Sequence, residues 1–190
     1  MGAWGRLVCP WYTCRVNIHG YDVQPLTRKL AAQHQNTLAA LANLIPQVEY
    51  TAETILAECK GDRGMLGKWK HSLVVMDAGR PIAMVMGYER RSEGNEQYPA
   101  NTLYITELAV HNNYQGQGIA RALLSEFFAH NNQLGFVHLD GSFNYSIQTN
   151  SADWNRHVRE LYESFGFRTR ATKPYNNRTD VVMGMTPAAP

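Results

Sequence analysis

Cysteine is scarce in this sequence, and its scarcity argues against two kinds of site. The 190 residues include three cysteines, Cys9, Cys14 and Cys59. An odd number of cysteines does not suit a disulfide framework, and none of the three is paired with histidine at a zinc-site spacing. We therefore expect no disulfide framework, no bound metal and a reducing cytoplasmic location.

Long apolar runs and an excess of one charge are also missing. No stretch reaches the roughly 20 apolar residues that a membrane-spanning helix needs, and Pro10 interrupts the apolar start, so no signal peptide is predicted. Lysine and arginine number 18 and acidic residues 16, without a basic or an acidic run. We predict no nucleic-acid or membrane partner, and we do not favour a polyamine or aminoglycoside substrate.

The composition that is present suits one folded domain. Hydrophobic residues make up 44% of the chain and charged residues 18%, which is ordinary for a globular protein and too apolar for a disordered one. No internal repeat is visible. We predict an N-terminal arm over residues 1–14 and a single domain over residues 15–190, with residues 92–100 as a linker-like loop inside it.

Hydrophobic periodicity and turn residues predict an order of strands and helices. The predicted helices cover residues 30–45, 51 to about 60, a stretch from 119 that ends before Gly135, and 158–165. The predicted strands cover residues 15–23, 72–76, 81–89, 103–110, either 136–139 or 143–149, and 180–185. This order predicts an α+β fold with a mixed sheet, antiparallel at first and partly parallel later, flanked by helices.

A glycine-rich loop joins the strand that ends at Val110 to the following helix. Gly116 and Gly118 permit backbone torsions that other residues resist, so that several N–H groups can point at one spot. The first amides of a helix lie at the positive end of its dipole and can hold a diphosphate. A tight turn that needs glycine only for its geometry is the alternative interpretation.

Two nucleotide-binding motifs do not fit this loop. A Walker loop needs Gly-Lys-Ser or Gly-Lys-Thr, whereas Ile119 follows Gly118. A dinucleotide-binding loop needs Gly or Ala where Arg121 stands. We therefore expect neither a nucleoside triphosphate nor a dinucleotide at this loop.

Two motifs in this order resemble the GNAT acyltransferase superfamily. Gln115-x-x-Gly118-x-Ala120, after Leu108-Ala109-Val110, is similar to its acetyl-CoA loop. Residues 155–167 are similar to its late helix, with Val158 in place of the usual Ala. The resemblance covers about residues 15–185 and implies a GNAT-like fold, although residues 135–155 form a longer segment than the family usually has there.

The resemblance also implies cofactor-binding and catalytic residues. It implies that loop amides hold the pyrophosphate of acetyl-CoA, that the strand end aligns its pantetheine, and that Asn155 contacts it, although Asn155 also suits a helix cap. The implied cofactor-binding residues are Leu108, Ala109, Val110, Gln115, Gly116, Gln117, Gly118, Ile119, Ala120, Arg121 and Asn155. Tyr162 matches the position of the acid that protonates the thiolate, but its apolar neighbours also suit a core tyrosine.

Glu107 is the carboxylate of the central strand and the candidate base, acting directly or through water. Strand alternation places Tyr104, Thr106 and Leu108 on the opposite face from Glu107 unless a bulge intervenes. We expect direct transfer of an acetyl group from acetyl-CoA to a primary amine of a small molecule or peptide. A non-catalytic module that binds or senses acyl-CoA is the alternative, and the choice between monomer and homodimer stays open.

Overall fold

A computed structural model describes residues 16–46, 48–57, 67–90, 102–134, 146–175 and 177–185. The predicted N-terminal arm, the loop at residues 92–100, the three cysteines and the alternative strand at residues 136–139 lie outside the described residues. Within the described part, no helix is both long and apolar enough to cross a membrane.

In the described residues, a first hairpin is followed by four short helices, three antiparallel strands, and then a longer helix, a strand, another helix and a last hairpin. The helices are α1 Arg28–Gln33, α2 Gln35–Ala42, α3 Ala52–Leu56, α4 Lys68–His71, α5 Ile119–Gln133 and α6 Arg156–Glu163. The strands are β1 Val16–Ile18, β2 Tyr21–Pro25, β3 Leu73–Asp77, β4 Arg80–Arg90, β5 Thr102–Val110, β6 Ser146–Ala152, β7 Arg168–Tyr175 and β8 Arg178–Met185.

The eight strands of the described residues form one mixed sheet in the order β1-β2-β3-β4-β5-β6-β8-β7. Strands β5 and β6 pair in parallel, connected through α5, and every other neighbouring pair is antiparallel. The predicted α+β architecture with a mixed sheet is confirmed. The parallel pair lies near the centre of the sheet, and the order of strands departs from the order of the sequence only beyond β6, where β8 lies between β6 and β7.

Apolar side chains cover both faces of the sheet. On one face, Leu123 and Phe127 of α5 are fully buried against β4 and β5. On the other face, Leu38 of α2 and Ile55 of α3 are fully buried in a second cluster with Met84 and other residues of the central strands. The sheet is therefore enclosed between two helical layers, which fixes the central strands from both sides.

Three predicted elements differ from the structure near the N-terminus. The predicted strand over residues 15–23 is a hairpin of β1 and β2, because His19 and Gly20 both have positive φ and turn the chain. The predicted helix over residues 30–45 is interrupted at His34, whose φ of −122° and ψ of 20° are not helical. The helix predicted to reach about residue 60 ends at Leu56, since Ala57 is extended.

The hairpin of β3 and β4, strand β5 and helix α5 are confirmed close to their predicted bounds. Of the two alternatives for the next strand, residues 143–149 overlap β6. Two elements, α4 and β7, carry no signal in the sequence. Strand β7 has the sequence RTRATKPY and is mostly exposed, so its residues show no alternation between apolar and polar side chains.

Candidate functional site

A cleft opens where the two parallel strands separate. The registered pairs of β5 and β6 end at Ile105 and Thr149, and the Thr149 hydroxyl donates to the Ile105 carbonyl over 3.2 Å at that point. On its other side, β5 stays paired with β4 as far as Val110. The edge of β5 beyond Ile105 can therefore bind an extended, amide-containing molecule in place of a neighbouring strand.

The cleft has a volume of about 520 Å³, which is the size of a small-molecule site. Its walls come from the loop after α2, the ends of β5 and β6, the glycine-rich loop with the start of α5, helix α6 and the start of β8. They consist of Leu44, Ile45, Pro46, Thr106, Leu108, Ala109, Val110, Tyr114, Gln115, Gly116, Gly118, Ile119, Ala120, Arg121, Thr149, Asn150, Ser151, Ala152, Asn155, His157, Val158, Leu161, Tyr162 and Arg178.

The glycine-rich loop leads the chain from β5 into α5 through two left-handed residues. Gly116 has φ 75° and Gly118, the residue before the first turn of α5, has φ 79°. The Gln115 side chain donates to the Val110 carbonyl over 2.9 Å and so fixes the loop on the strand end. Because α5 has 15 residues and starts at the cleft, its first amides and its dipole favour an anion there.

The structure brings ten of the eleven predicted cofactor-binding residues to the cleft wall. These are Leu108, Ala109, Val110, Gln115, Gly116, Gly118, Ile119, Ala120, Arg121 and Asn155. The exception is Gln117, which is exposed and whose side-chain Nε2 donates to the Asn113 carbonyl over 3.4 Å.

Two of the residues on the cleft wall also have structural partners. Arg121 donates to the Ser164 hydroxyl over 2.8 Å, which links α5 to the end of α6. Asn155 precedes α6, and its side-chain oxygen accepts from the Val158 amide at 3.4 Å. Asn155 therefore caps α6 and also lies on the cleft wall.

Tyr162 is a core residue that also reaches the cleft. It is 2% exposed, and its ring lies 5.1 Å from that of Phe167, centroid to centroid. Burial raises the pKa of Tyr162 to about 12, although a side-chain hydrogen bond with Thr149 acts in the opposite direction. The phenol therefore stays protonated near neutral pH and can donate a proton or a hydrogen bond, but cannot act as a resting base.

A bulge in β5 sets the direction of Glu107. Met86 of β4 pairs with Glu107, whereas the next residue, Gly87, pairs with Ile105, so that Thr106 is the extra residue. The bulge interrupts the alternation, and Glu107 lies on the same face as Tyr104 instead of opposite to it. Glu107 is 2% exposed and is not part of the cleft wall.

Tyr50, between α2 and α3, contacts Glu107 directly. Its phenol donates a hydrogen bond to Glu107 Oε1. No sequence pattern indicates this contact, since Tyr50 is in a loop and 57 residues separate the partners. Thr106 and Arg178 on the cleft wall were also missed, because a bulge and a loop contact leave no periodic signal.

The part of the chain that the structure describes contains no group of three His, Cys, Asp or Glu residues that could hold a metal ion. The cleft offers a helix start that favours an anion, an open strand edge and a buried phenol, while the Glu107 carboxylate lies outside the cleft wall.

Solved structures with this fold come from several acetyltransferases. The ribosomal-protein-S18-alanine N-acetyltransferase from Escherichia coli is 17% identical, with a TM-score of 0.59 over 89% of this chain and 96% of that chain. Arabidopsis thaliana Naa50, in complex with the bisubstrate analogue CoA-Ac-MVNAL, is 17% identical, with a TM-score of 0.62 over 87% of this chain and 98% of that chain.

A small-molecule enzyme has the same fold. Diaminobutyrate acetyltransferase EctA from Paenibacillus lautus, in complex with L-2,4-diaminobutyric acid and coenzyme A, is 14% identical, with a TM-score of 0.58 over 87% of this chain and 93% of that chain. Comparison with curated protein sequences gives no match. The family described as the acetyltransferase (GNAT) domain matches residues 68–169, more than half of the sequence. The chain therefore belongs to the GNAT acetyltransferase family.

Proposed function

We propose that this protein is an N-acetyltransferase that transfers the acetyl group of acetyl-CoA directly to a primary amine in a ternary complex. The observation that carries the proposal is the cleft itself, which joins the glycine-rich start of α5 to Tyr162 along the open edge of β5. Naa50 and EctA, which have the same fold, were solved with a CoA-derived analogue and with coenzyme A. A single domain over residues 15–190 in the cytoplasm is part of the proposal.

The donor end of the cleft suits the charged and extended parts of acetyl-CoA. The diphosphate would lie against the amides from Gln115 to Arg121, where Gly116 and Gly118 leave the backbone accessible. The pantetheine amides would pair with the main chain of residues 108–110. An N–H group of this segment, directed at the thioester carbonyl, would stabilise the oxyanion that develops during transfer.

The transfer needs one proton acceptor and one proton donor. The amine nitrogen attacks the thioester carbon, the carbon–sulfur bond breaks, and the sulfur leaves as a thiolate. We assign Glu107 as the base that takes the amine proton, directly or through water, and Tyr162 as the acid that protonates the thiolate. The buried Tyr162 is in its protonated form at neutral pH, as this role requires.

The same fold admits a module that binds or senses acyl-CoA without catalysis, since fold does not determine function. We would separate the two with purified protein, acetyl-CoA and a panel of small amines and short peptides, following the release of free thiol. Acceptor-dependent thiol release, lost in Glu107→Gln, is expected for the enzyme. Saturable binding of acetyl-CoA without such release would support the sensor, and failure to bind CoA would contradict both.

A further inference from the structure

The loop between α2 and α3 is fixed by one of its own side chains. The Asn43 side-chain oxygen accepts from the Tyr50 amide over 2.7 Å, and its side-chain nitrogen donates to the Tyr50 carbonyl over 3.1 Å. Asn43 follows α2 directly and is held at its end by backbone bonds. The pair of bonds thus closes the loop and fixes the backbone of Tyr50 relative to helix α2.

Arg178, the first residue of β8, ties the same loop to the sheet. Its Nη1 donates to the Pro46 carbonyl over 2.6 Å, and its Nε donates to Asp180 Oδ1 over 2.7 Å. The side chains of Arg178 and Asp180 are 10% and 3% exposed, so this ion pair is largely shielded from solvent. The loop that carries Tyr50 is therefore anchored both to α2 and to β8.

The phenol of Tyr50, whose backbone these contacts hold, donates to Glu107. Burial raises the pKa of Tyr50 far above its usual value, and the charge of Glu107 and the hydrogen bond to it act in the same direction. Tyr50 is therefore a neutral donor over the whole working range of pH. A donor that holds Oε1 also determines the direction in which the second carboxylate oxygen points.

We propose that Tyr50 is a positioning residue for the Glu107 carboxylate, held in place by Asn43. This inference rests on the proposed function, in which Glu107 is the base. A carboxylate on a single strand position can rotate about its side-chain bonds, and a small misplacement of a catalytic group is costly. The hydrogen bond from Tyr50 removes this freedom and favours the charged form of the carboxylate.

The first test is Tyr50→Phe, which keeps the ring and removes only the donor. We expect kcat to fall about 10- to 100-fold, while the affinity for acetyl-CoA stays unchanged. The acidic limb of the pH–rate profile should move to higher pH, because the carboxylate loses a bond that favours its charge. Tyr21→Phe is the matched control, since Tyr21 of β2 is half-buried outside the cleft wall.

Asn43 variants test the support behind Tyr50. Asn43→Asp retains the size and the acceptor but loses the donor to the Tyr50 carbonyl, and we expect a smaller fall in kcat and a smaller shift of the acidic limb in the same direction. Asn43→Ala combined with Tyr50→Phe should be no slower than Tyr50→Phe alone, because both act through one bond. Asn36→Ala, on the exposed surface of α2, is the control.

The outcomes separate the inference from the function on which it depends. Thermal melting and acetyl-CoA titration of each variant show whether the fold and the donor site persist. A wild-type protein without acetyl transfer would overturn the proposed function and the inference together. Two results with an active wild-type protein would overturn the inference alone. One is a Tyr50→Phe variant that keeps the wild-type kcat and pH profile. The other is a double variant whose fold reduction in kcat equals the product of the reductions in the two single variants.

Discussion

At the scale of single residues, Thr106 and Tyr162 have the largest consequences. The bulge at Thr106 turns Glu107 to the face that Tyr50 reaches, so one extra residue in β5 decides which side chain can meet the carboxylate. Tyr162 serves the core through its ring and the cleft through its hydroxyl. These two functions of Tyr162 can be separated experimentally, because removing the hydroxyl leaves the ring in place.

We predict that Tyr162→Phe lowers kcat about 100-fold, the usual contribution of a general acid, and leaves the dissociation constant of acetyl-CoA unchanged. Steady-state kinetics and calorimetric titration measure the two quantities. Phe167→Leu is the control, since it weakens the same aromatic contact but retains the phenol. Turnover that is unaltered in Tyr162→Phe would reduce Tyr162 to a core residue.

At the scale of elements, the start of α5 and the packing of α5 on β4 have different requirements for glycine. Gly118 needs a left-handed backbone to enter the helix, with a φ of 79°. Gly87 of β4 has no such torsion, but a Cβ there would lie 2.8 Å from Phe127 Cζ. Gly118 is therefore required by the backbone geometry of the loop, whereas Gly87 is required by the close approach of α5 to the sheet.

Gly118→Ala and Gly79→Ala form a matched pair, because both glycines have φ 79°. Each alanine should cost about 1–2 kcal/mol in the free energy of unfolding, from left-handed strain alone. Only Gly118→Ala should also weaken CoA binding, by roughly tenfold if the strain is relieved by moving the loop. Equal CoA affinity in the two variants, measured by calorimetry, would argue against an anion site at this loop.

Gly87→Ala should destabilise the protein by about 1–3 kcal/mol, as overpacking does in a close-packed core. Urea unfolding measures the change. Gly184→Ala in β8 is the control, since its nearest side-chain atoms would be 3.4 Å away and we expect a change within about 0.5 kcal/mol. Loss of comparable size in both variants would show that Phe127 is not the cause.

The elements that the sequence predicts well are those with a strong local signal. Helix α5 repeats apolar residues at helical spacing, and the hairpin of β3 and β4 joins two apolar runs through a glycine turn. Strand β7 was missed because most of its side chains are exposed. The pairing of Tyr50 with Glu107 depends on a loop, a bulge and a long-range contact, none of which has a period that a single sequence shows.

At the scale of the whole molecule, a buried polar cluster connects α4 with α5 and β4 away from the cleft. His71 of α4 is fully buried, with Nδ1 2.5 Å from Asn131 Oδ1 of α5 and Nε2 3.2 Å from Glu89 Oε1 of β4. Burial lowers the pKa of His71, although both hydrogen bonds act to raise it. Burial likewise lowers the pKa of His130.

These histidines should make stability depend on pH. In the unfolded chain a histidine takes up a proton near pH 6.5, whereas in the folded protein it stays neutral to lower pH. The unfolded state then binds more protons than the folded state. The free energy of unfolding should therefore reach its highest contribution from these histidines above about pH 6.5 and decrease as the pH falls below that value. His71→Gln should reduce this slope in urea unfolding, whereas His157→Gln, whose side chain is 98% exposed, should not.

Acetyl transfer itself is tested most directly by the fate of a labelled acetyl group. We would incubate the protein with acetyl-CoA that carries a deuterated acetyl group and with the panel of amines, and then record the mass of each amine. We expect at least one primary amine to gain the deuterated acetyl group, at a rate that falls in Tyr162→Phe and in Glu107→Gln. Saturable binding of acetyl-CoA with no labelled amine in the panel would contradict this expectation.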